Sequence, residues 1–351
     1  MKPLAYKEIG MYTNTKGCME PNPAVRGGYS ENTQVLILVQ ADAKRTQYNL
    51  FCYNSRKVNG SMKRDPTQVT ACSQTLRQTA IQLVECCPVQ FGEEIVLFGS
   101  AGWGVADECS DIDLDFWVQQ IPPFESVKDW LIDCGVKLFH FETEVSPEEG
   151  MHLIGRYRDI WVEFTWFTIA WRTKVISNIL AGEELERSKL AHAWNVTTGM
   201  PLRTRALVPE WQQRLAEYPD ALQSRLISAS TEFWLYPHHI EVLWTLAFRH
   251  ELMGLDEWLL ADLQDGLRIL FALNRQWEPD WKNLTAASEL LRQKPSLLIE
   301  RVNSILLSPK PVERVELLLR LLADILSLVP EPFDVSVAKK NVEASLLDHC
   351  T

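Results

Sequence analysis

Between residues 107 and 115 the chain carries five carboxylates, Asp107, Glu108, Asp111, Asp113 and Asp115, the last three spaced two apart. Side chains alternate between the faces of a β-strand, so residues 111, 113 and 115 would share one face and Ile112, Leu114 and Phe116 the other. Like charges on one face repel unless water or a cation intervenes. The apolar face would pin the strand into a core, leaving the acidic face at a rim where a divalent ion could neutralise it. Carboxylate oxygens are hard ligands that select Mg2+ or Mn2+, and substrate phosphates commonly complete an Mg2+ shell. Just upstream, residues 95–98 read as a short apolar strand running into Gly99-Ser100. Glycine at such a turn lets the backbone approach a ligand closely, and exposed backbone N–H groups with a Ser hydroxyl can grip a phosphate. A phosphate grip followed by an acidic metal site is a constellation for phosphoryl or nucleotidyl transfer.

The surrounding pattern supplies the elements that must hold these residues. Residues 70–87 carry apolar side chains at helical spacing and stop at Pro88; 112–118 alternate as a strand; 124–134 read as a helix, 136–141 as extended chain, and 152–167 as two strands turning near Asp159. Beyond about residue 170 the strand signal disappears. Stretches 206–218, 240–253, 258–273 and 312–328 repeat apolar residues three and four apart, which predicts a bundle of six to eight helices. Upstream, 35–39 and 48–53 read as two strands of a β-hairpin followed by a polar turn through Asn59-Gly60. The expected organisation is an N-terminal extension over 1–65, a catalytic α/β unit over 66–170, and an all-α domain over 171–351, hence an α+β chain of mixed sheet and helices.

Composition narrows the partners. The 351 residues carry a net charge of −11, which argues against a general nucleic-acid binder. The charge is unevenly spread: residues 1–65 hold ten Lys/Arg against five Asp/Glu, leaving 25 against 41 in the remainder. The eight cysteines form no CxxC pair, and no secretory apolar core opens the chain, so they read as reduced thiols of a cytoplasmic protein. No HExxH or Cys/His cluster suggests zinc. The most apolar stretch, 317–329, is interrupted by Arg320 and Asp324, as in a buried-face helix and unlike a membrane span.

A strand ending in Gly99-Ser100, ten residues, then Ser110-Asp111-Ile112-Asp113-Leu114 resembles the signature of the nucleotidyltransferase superfamily of DNA polymerase β type. The resemblance covers roughly residues 70–170. It implies a third carboxylate on a later core strand, and Glu163, a lone acid in the apolar run 160–166, matches that place. The family commonly has Asp there; the extra methylene of Glu allows either a metal ligand or a general base. Asp159 is the substitute candidate, although a turn favours Asp for its own reasons. The helical region resembles the antibiotic-modifying and minimal nucleotidyltransferases, through Leu273-Asn274-Arg275-Gln276-Trp277-Glu278-Pro279-Asp280-Trp281-Lys282.

The resemblance implies that Asp111, Asp113 and Glu163 hold Mg2+ or Mn2+ around an NTP, and that a nucleoside monophosphate, AMP from ATP, passes to an acceptor hydroxyl. Gly99, Ser100, Ser110, Arg156 and Lys282 are the expected nucleotide contacts, with Arg158 a further strand-face cation, since Arg suits bidentate phosphate binding. The acidic body favours a small cationic acceptor. Rival readings are transfer to a protein or tRNA, with the basic 1–65 segment as docking surface, and a non-catalytic nucleotide-binding regulator. The tryptophans nearest the site, Trp161, Trp166 and Trp171, read as core.

Overall fold

The computed structural model of the chain describes residues 68–141 and 150–349. The extension over 1–65, with its expected hairpin, and Cys18, Cys52 and Cys350 lie outside the described residues. Among the described residues six strands form one mixed sheet: β1 (Glu94–Phe98), β2 (Ile112–Val118), β3 (Lys137–Phe141), β4 (Met151–Tyr157), β5 (Ile160–Thr168) and β6 (Met200–Arg203). Their order is β3-β4-β5-β2-β1-β6. The β2–β5 pair is parallel and its neighbours pair antiparallel. Three helices accompany the sheet strands, α1 (Ala71–Glu85), α2 (Gly99–Trp103) and α3 (Phe124–Asp133). Ten more follow: α4 (Ile169–Leu180), α5 (Arg187–Thr198), α6 (Leu207–Leu215), α7 (Asp220–Thr231), α8 (Pro237–Phe248), α9 (Leu252–Leu273), α10 (Leu284–Ser288), α11 (Leu298–Leu307), α12 (Pro311–Ser327) and α13 (Ser336–His349). The class is α+β, a mixed sheet with helices followed by a run of helices.

The two faces of the sheet have different partners. Ile112, Leu114, Phe116 and Val118 are buried with Leu76, Ala80 and Leu83 of α1 and Val127 and Leu131 of α3. That apolar face is the one the alternation of β2 requires. α1 starts where the Thr70 hydroxyl accepts from the Ser73 N–H, filling one of the donors a helix start leaves open. On the opposite face Val96, Phe98 and Trp117 join the core of the helical half. The acidic side of β2 therefore meets that half and does not lie at an open rim: Asp115 is buried against the guanidinium of Arg172 on α4.

The helical half also adds to the sheet. β6 pairs with β1, so strand structure continues beyond residue 170, where the sequence showed none. Nearby, buried Glu94 of β1 accepts from the backbone N–H groups of Arg205 (2.6 Å), Leu207 (3.3 Å) and Val208 (3.3 Å), capping α6 from a distant strand. The stretch read as one helix over 240–253 is two, separated at Arg249–Glu251, where His250 turns with φ 55°. No helix among the described residues is long and apolar enough to cross a membrane. The described cysteines, Cys72, Cys86, Cys87, Cys109 and Cys134, are free thiols.

Candidate functional site

The site forms where β1, β2 and β5 lie side by side. Asp113 is in register with Phe98 of β1 on one side and with Glu163 of β5 on the other. Asp111 stands one residue before β2 and shares the Asp113 face. Carboxylate oxygens of Asp111, Asp113 and Glu163 all lie within 4.8 Å of one another. All three side chains are half-buried, so the cluster is open to a ligand while burial still raises the cost of its charge. Asp159, the substitute acid, sits in the β4–β5 turn with φ 65° and is exposed.

The electrostatics record the crowding. Burial raises the Asp111 carboxyl above the usual range, with Lys282 opposing and Glu163 adding to the rise. Burial likewise pushes Asp113 up to about 8, with Lys282 opposing and Asp111 and Glu163 adding. Lys282 is held charged, its pKa raised first by Asp113 and further by Asp111, Asp280 and Glu163. Glu163 also has His152 beside it, Nε2 to Oε2 3.5 Å.

Two local devices position these groups. The turn after β1 brings Gly99 against Asp113: a Cβ at Gly99 would fall 1.9 Å from Asp113 Oδ2, and its φ of 61° is left-handed. Ser100 follows, buried, in the first turn of α2. The other end of α2 is held by Arg77 of α1, which donates to the carbonyls of Ala101 (2.9 Å) and Gly102 (2.6 Å). Trp103 packs edge-on against Trp194 of α5 at 5.0 Å, which accounts for a large ring in this turn.

The second device carries Lys282 from far along the chain. Residues 276–280 run irregularly into a short 3-10 turn, Trp281–Asn283, and the segment is pinned by side chains. Trp277 donates to the Leu215 carbonyl at 2.9 Å and packs on Tyr218 at 4.6 Å. Buried Glu278 accepts from Arg187 (2.8 Å) and Arg268 (3.1 Å), and Arg187 lies 4.5 Å over the ring of Trp281. The Asp280 carboxylate caps the turn that presents Lys282.

Of the residues expected at the site, Asp111, Asp113, Glu163, Gly99 and Lys282 come together, with Ser100 adjacent. Ser110 closes a turn with Asp107, accepting from its N–H and donating to its Oδ1, both at 3.0 Å. Arg156 lies on the Glu163 face but farther out, 4.4 Å over the ring of Trp161. Arg158 turns away and donates to Gln82 Oε1 at 2.7 Å. Trp166 points into the opposite core and donates to the Phe91 carbonyl at 2.7 Å, whereas Trp161 is half-exposed on the site face. Arg172 had not been singled out. Fully buried, it binds Asp115 and His192 and lies between the rings of Phe167 (4.2 Å) and Trp117 (5.2 Å). An Arg inside an otherwise apolar helix start was its only sequence signal.

Three carboxylates with converging oxygens suit a hard divalent cation, and the adjoining ammonium suits a phosphate bound beside it. No family model matches the chain, and no curated protein matches it. Among solved structures, it is similar to a nucleotidyltransferase-like protein from Exiguobacterium sibiricum 255-15, at 12% identity and a TM-score of 0.35, over 79% of this chain and 80% of that one. A likeness of that size lends no weight of its own to a shared activity.

Proposed function

We propose that the protein is a divalent-metal-dependent nucleotidyltransferase that moves a nucleoside monophosphate, AMP from ATP, onto a hydroxyl of an acceptor. The observation that carries this reading is the convergence of Asp111, Asp113 and Glu163 beside a Gly-Ser turn and a charged lysine. Asp111, Asp113 and Glu163 would hold Mg2+ or Mn2+, which when bound supplies charge neutralisation at the triphosphate and at the attacking and leaving oxygens. The Gly99-Ser100 turn offers its backbone to the phosphates at the β1 side of Asp113. Lys282 offers an ammonium to the same phosphates from the helical half. Glu163, on the β5 side, would complete the metal ligands or take the acceptor's proton. Asp115, bound to Arg172, supports β2 from behind without joining the metal ligands.

Calorimetry with Mn2+ tests the metal assignment apart from activity. The parent chain should bind Mn2+, and bind ATP more tightly in its presence; Asp111→Asn and Asp113→Asn should each lose the Mn2+ heat while melting at or above the parent. Equal Mn2+ binding by Asp113→Asn would rule this reading out.

A further inference from the structure

Glu163 has the longest side chain of the triad, so it has the most rotamer freedom to lose when it takes up a ligand position. Its surroundings divide by strand. On the β2 side it is in register with Asp113, a like charge. On the β4 side Ile154 stands directly opposite, and His152 lies diagonally across, opposite Thr165. Residues opposite one another on antiparallel strands share a face, so His152 and Ile154 lie on the triad side of the sheet. Ile154 has no donor to offer. The His152 ring does reach the carboxylate: Nε2 to Oε2 is 3.5 Å, about half an ångström beyond the usual N–H···O separation. A carboxylate oxygen only accepts, so the ring nitrogen turned toward it is the one that carries hydrogen. The other carboxylate that feels His152 is Asp115, which Arg172 already binds. Lys282, whose charge also acts on Glu163, is the cation that the proposed function gives to a phosphate.

Resting on the metal assignment above, we propose that His152 is a positioning residue for Glu163, and that through it the triad selects its cation. The ring holds Oε2 and leaves one oxygen, Oε1, to a metal. Side chains that hydrogen-bond a ligating carboxylate fix its orientation and tune the site. A carboxylate free to offer both oxygens suits Ca2+, which takes a large and variable oxygen shell and accepts bidentate carboxylates. One limited to a single oxygen suits the octahedral shells of Mg2+ and Mn2+. His152 thus biases the three carboxylates toward the smaller ions. The placement comes from the sheet, because β4 lies between β3 and β5 and carries His152 at a fixed diagonal from Glu163.

The test is calorimetry of the full chain with Mn2+ and, separately, with Ca2+. It compares the parent, His152→Ala, and His152→Gln, whose amide nitrogen can replace the Nε2 donor. His152→Ala should weaken Mn2+ binding on the order of tenfold or more, the usual effect of losing a group that orients a metal ligand. Ca2+ binding should hold or tighten, so the preference for Mn2+ over Ca2+ falls by at least the same factor. His152→Gln should restore that preference. In Glu163→Gln there is no carboxylate to orient, so adding His152→Ala should cost nothing more. Without metal both His152 variants should melt near the parent, since the ring and the carboxylate are each partly open to water. Unchanged Mn2+ binding in His152→Ala, equal losses for the two cations, no recovery in His152→Gln, or effects that add in the double variant would each overturn the positioning role and leave the metal assignment standing. A parent chain that binds no Mn2+ removes the metal assignment, and the role of His152 falls with it.

Discussion

Gly99 and Asp113 are in such close contact that one cannot change without the other: an added Cβ at Gly99 would sit 1.9 Å from Asp113 Oδ2. The turn after β1 and the central carboxylate of β2 are therefore a single unit, joined through the register of Phe98 with Asp113. Gly99→Ala should cost about 1–2 kcal/mol for its left-handed backbone and push the Asp113 carboxylate aside. A folded variant that no longer binds Mn2+ in calorimetry is the expected outcome.

The protonation of Asp113 should make metal binding depend on pH. Burial, with Asp111 and Glu163 adding and Lys282 opposing, lifts its pKa from 3.8 to about 8. Between those values the folded chain keeps a proton that the unfolded chain has released, so the metal-free fold loses stability as pH rises through that window. A metal must expel the same proton, so Mn2+ affinity should rise with pH and level off near pH 8. Asp113→Asn should remove the pH-dependent loss of stability attached to this group. Melting curves from pH 4 to pH 9, with and without Mn2+, measure both effects.

Lys282 should affect metal and nucleotide in opposite directions. Its ammonium counters the Asp111, Asp113 and Glu163 charges that a metal also needs, and under the proposed function it would also meet a nucleotide phosphate. Lys282→Met should tighten Mn2+ binding alone and weaken Mn·ATP binding on the order of tenfold, the scale of a charge-assisted hydrogen bond. Calorimetric titrations of the two ligands, made separately, show whether the effects split.

Arg172 and Asp115 join α4 to β2 behind the triad, at 1% and 7% exposure. Arg172→Met alone leaves a buried carboxylate unpaired and should destabilise the fold by about 3–5 kcal/mol. The double variant Arg172→Met with Asp115→Asn should recover most of that loss in a thermal melt. Equal destabilisation by the single and double changes would mean that packing, and not the ion pair, sets the cost.

Much of this was legible in the sequence because it is local. The alternation over 112–118 fixed both the strand and its acidic face, and Thr70 and Pro88 bracketed α1 within a residue or two. Other parts depend on partners far along the chain. β6 is four half-exposed residues, Met200-Pro201-Leu202-Arg203, with a proline that only an edge strand tolerates, so no window of the sequence marks it. The α8–α9 break carries no Pro or Gly between its apolar runs. The capping of α6 by Glu94 spans more than a hundred residues, and no local pattern encodes it. Lys282 could be named from a resemblance, but its approach to Asp113 rests on Trp277 and Glu278 gripping α5, α6 and α9.

The most direct measurement is transfer of label from α-phosphate-labelled ATP, GTP, CTP and UTP in Mg2+, followed into RNA, protein and small-molecule acceptors, for the parent chain and Asp113→Asn. Metal-dependent incorporation with release of unlabelled pyrophosphate, lost at least a hundredfold in Asp113→Asn while its melt stays at or above that of the parent, is the result expected for an acidic triad that binds the metal. Undiminished transfer by Asp113→Asn, or no incorporation by the parent chain from any of the four nucleotides, would contradict it.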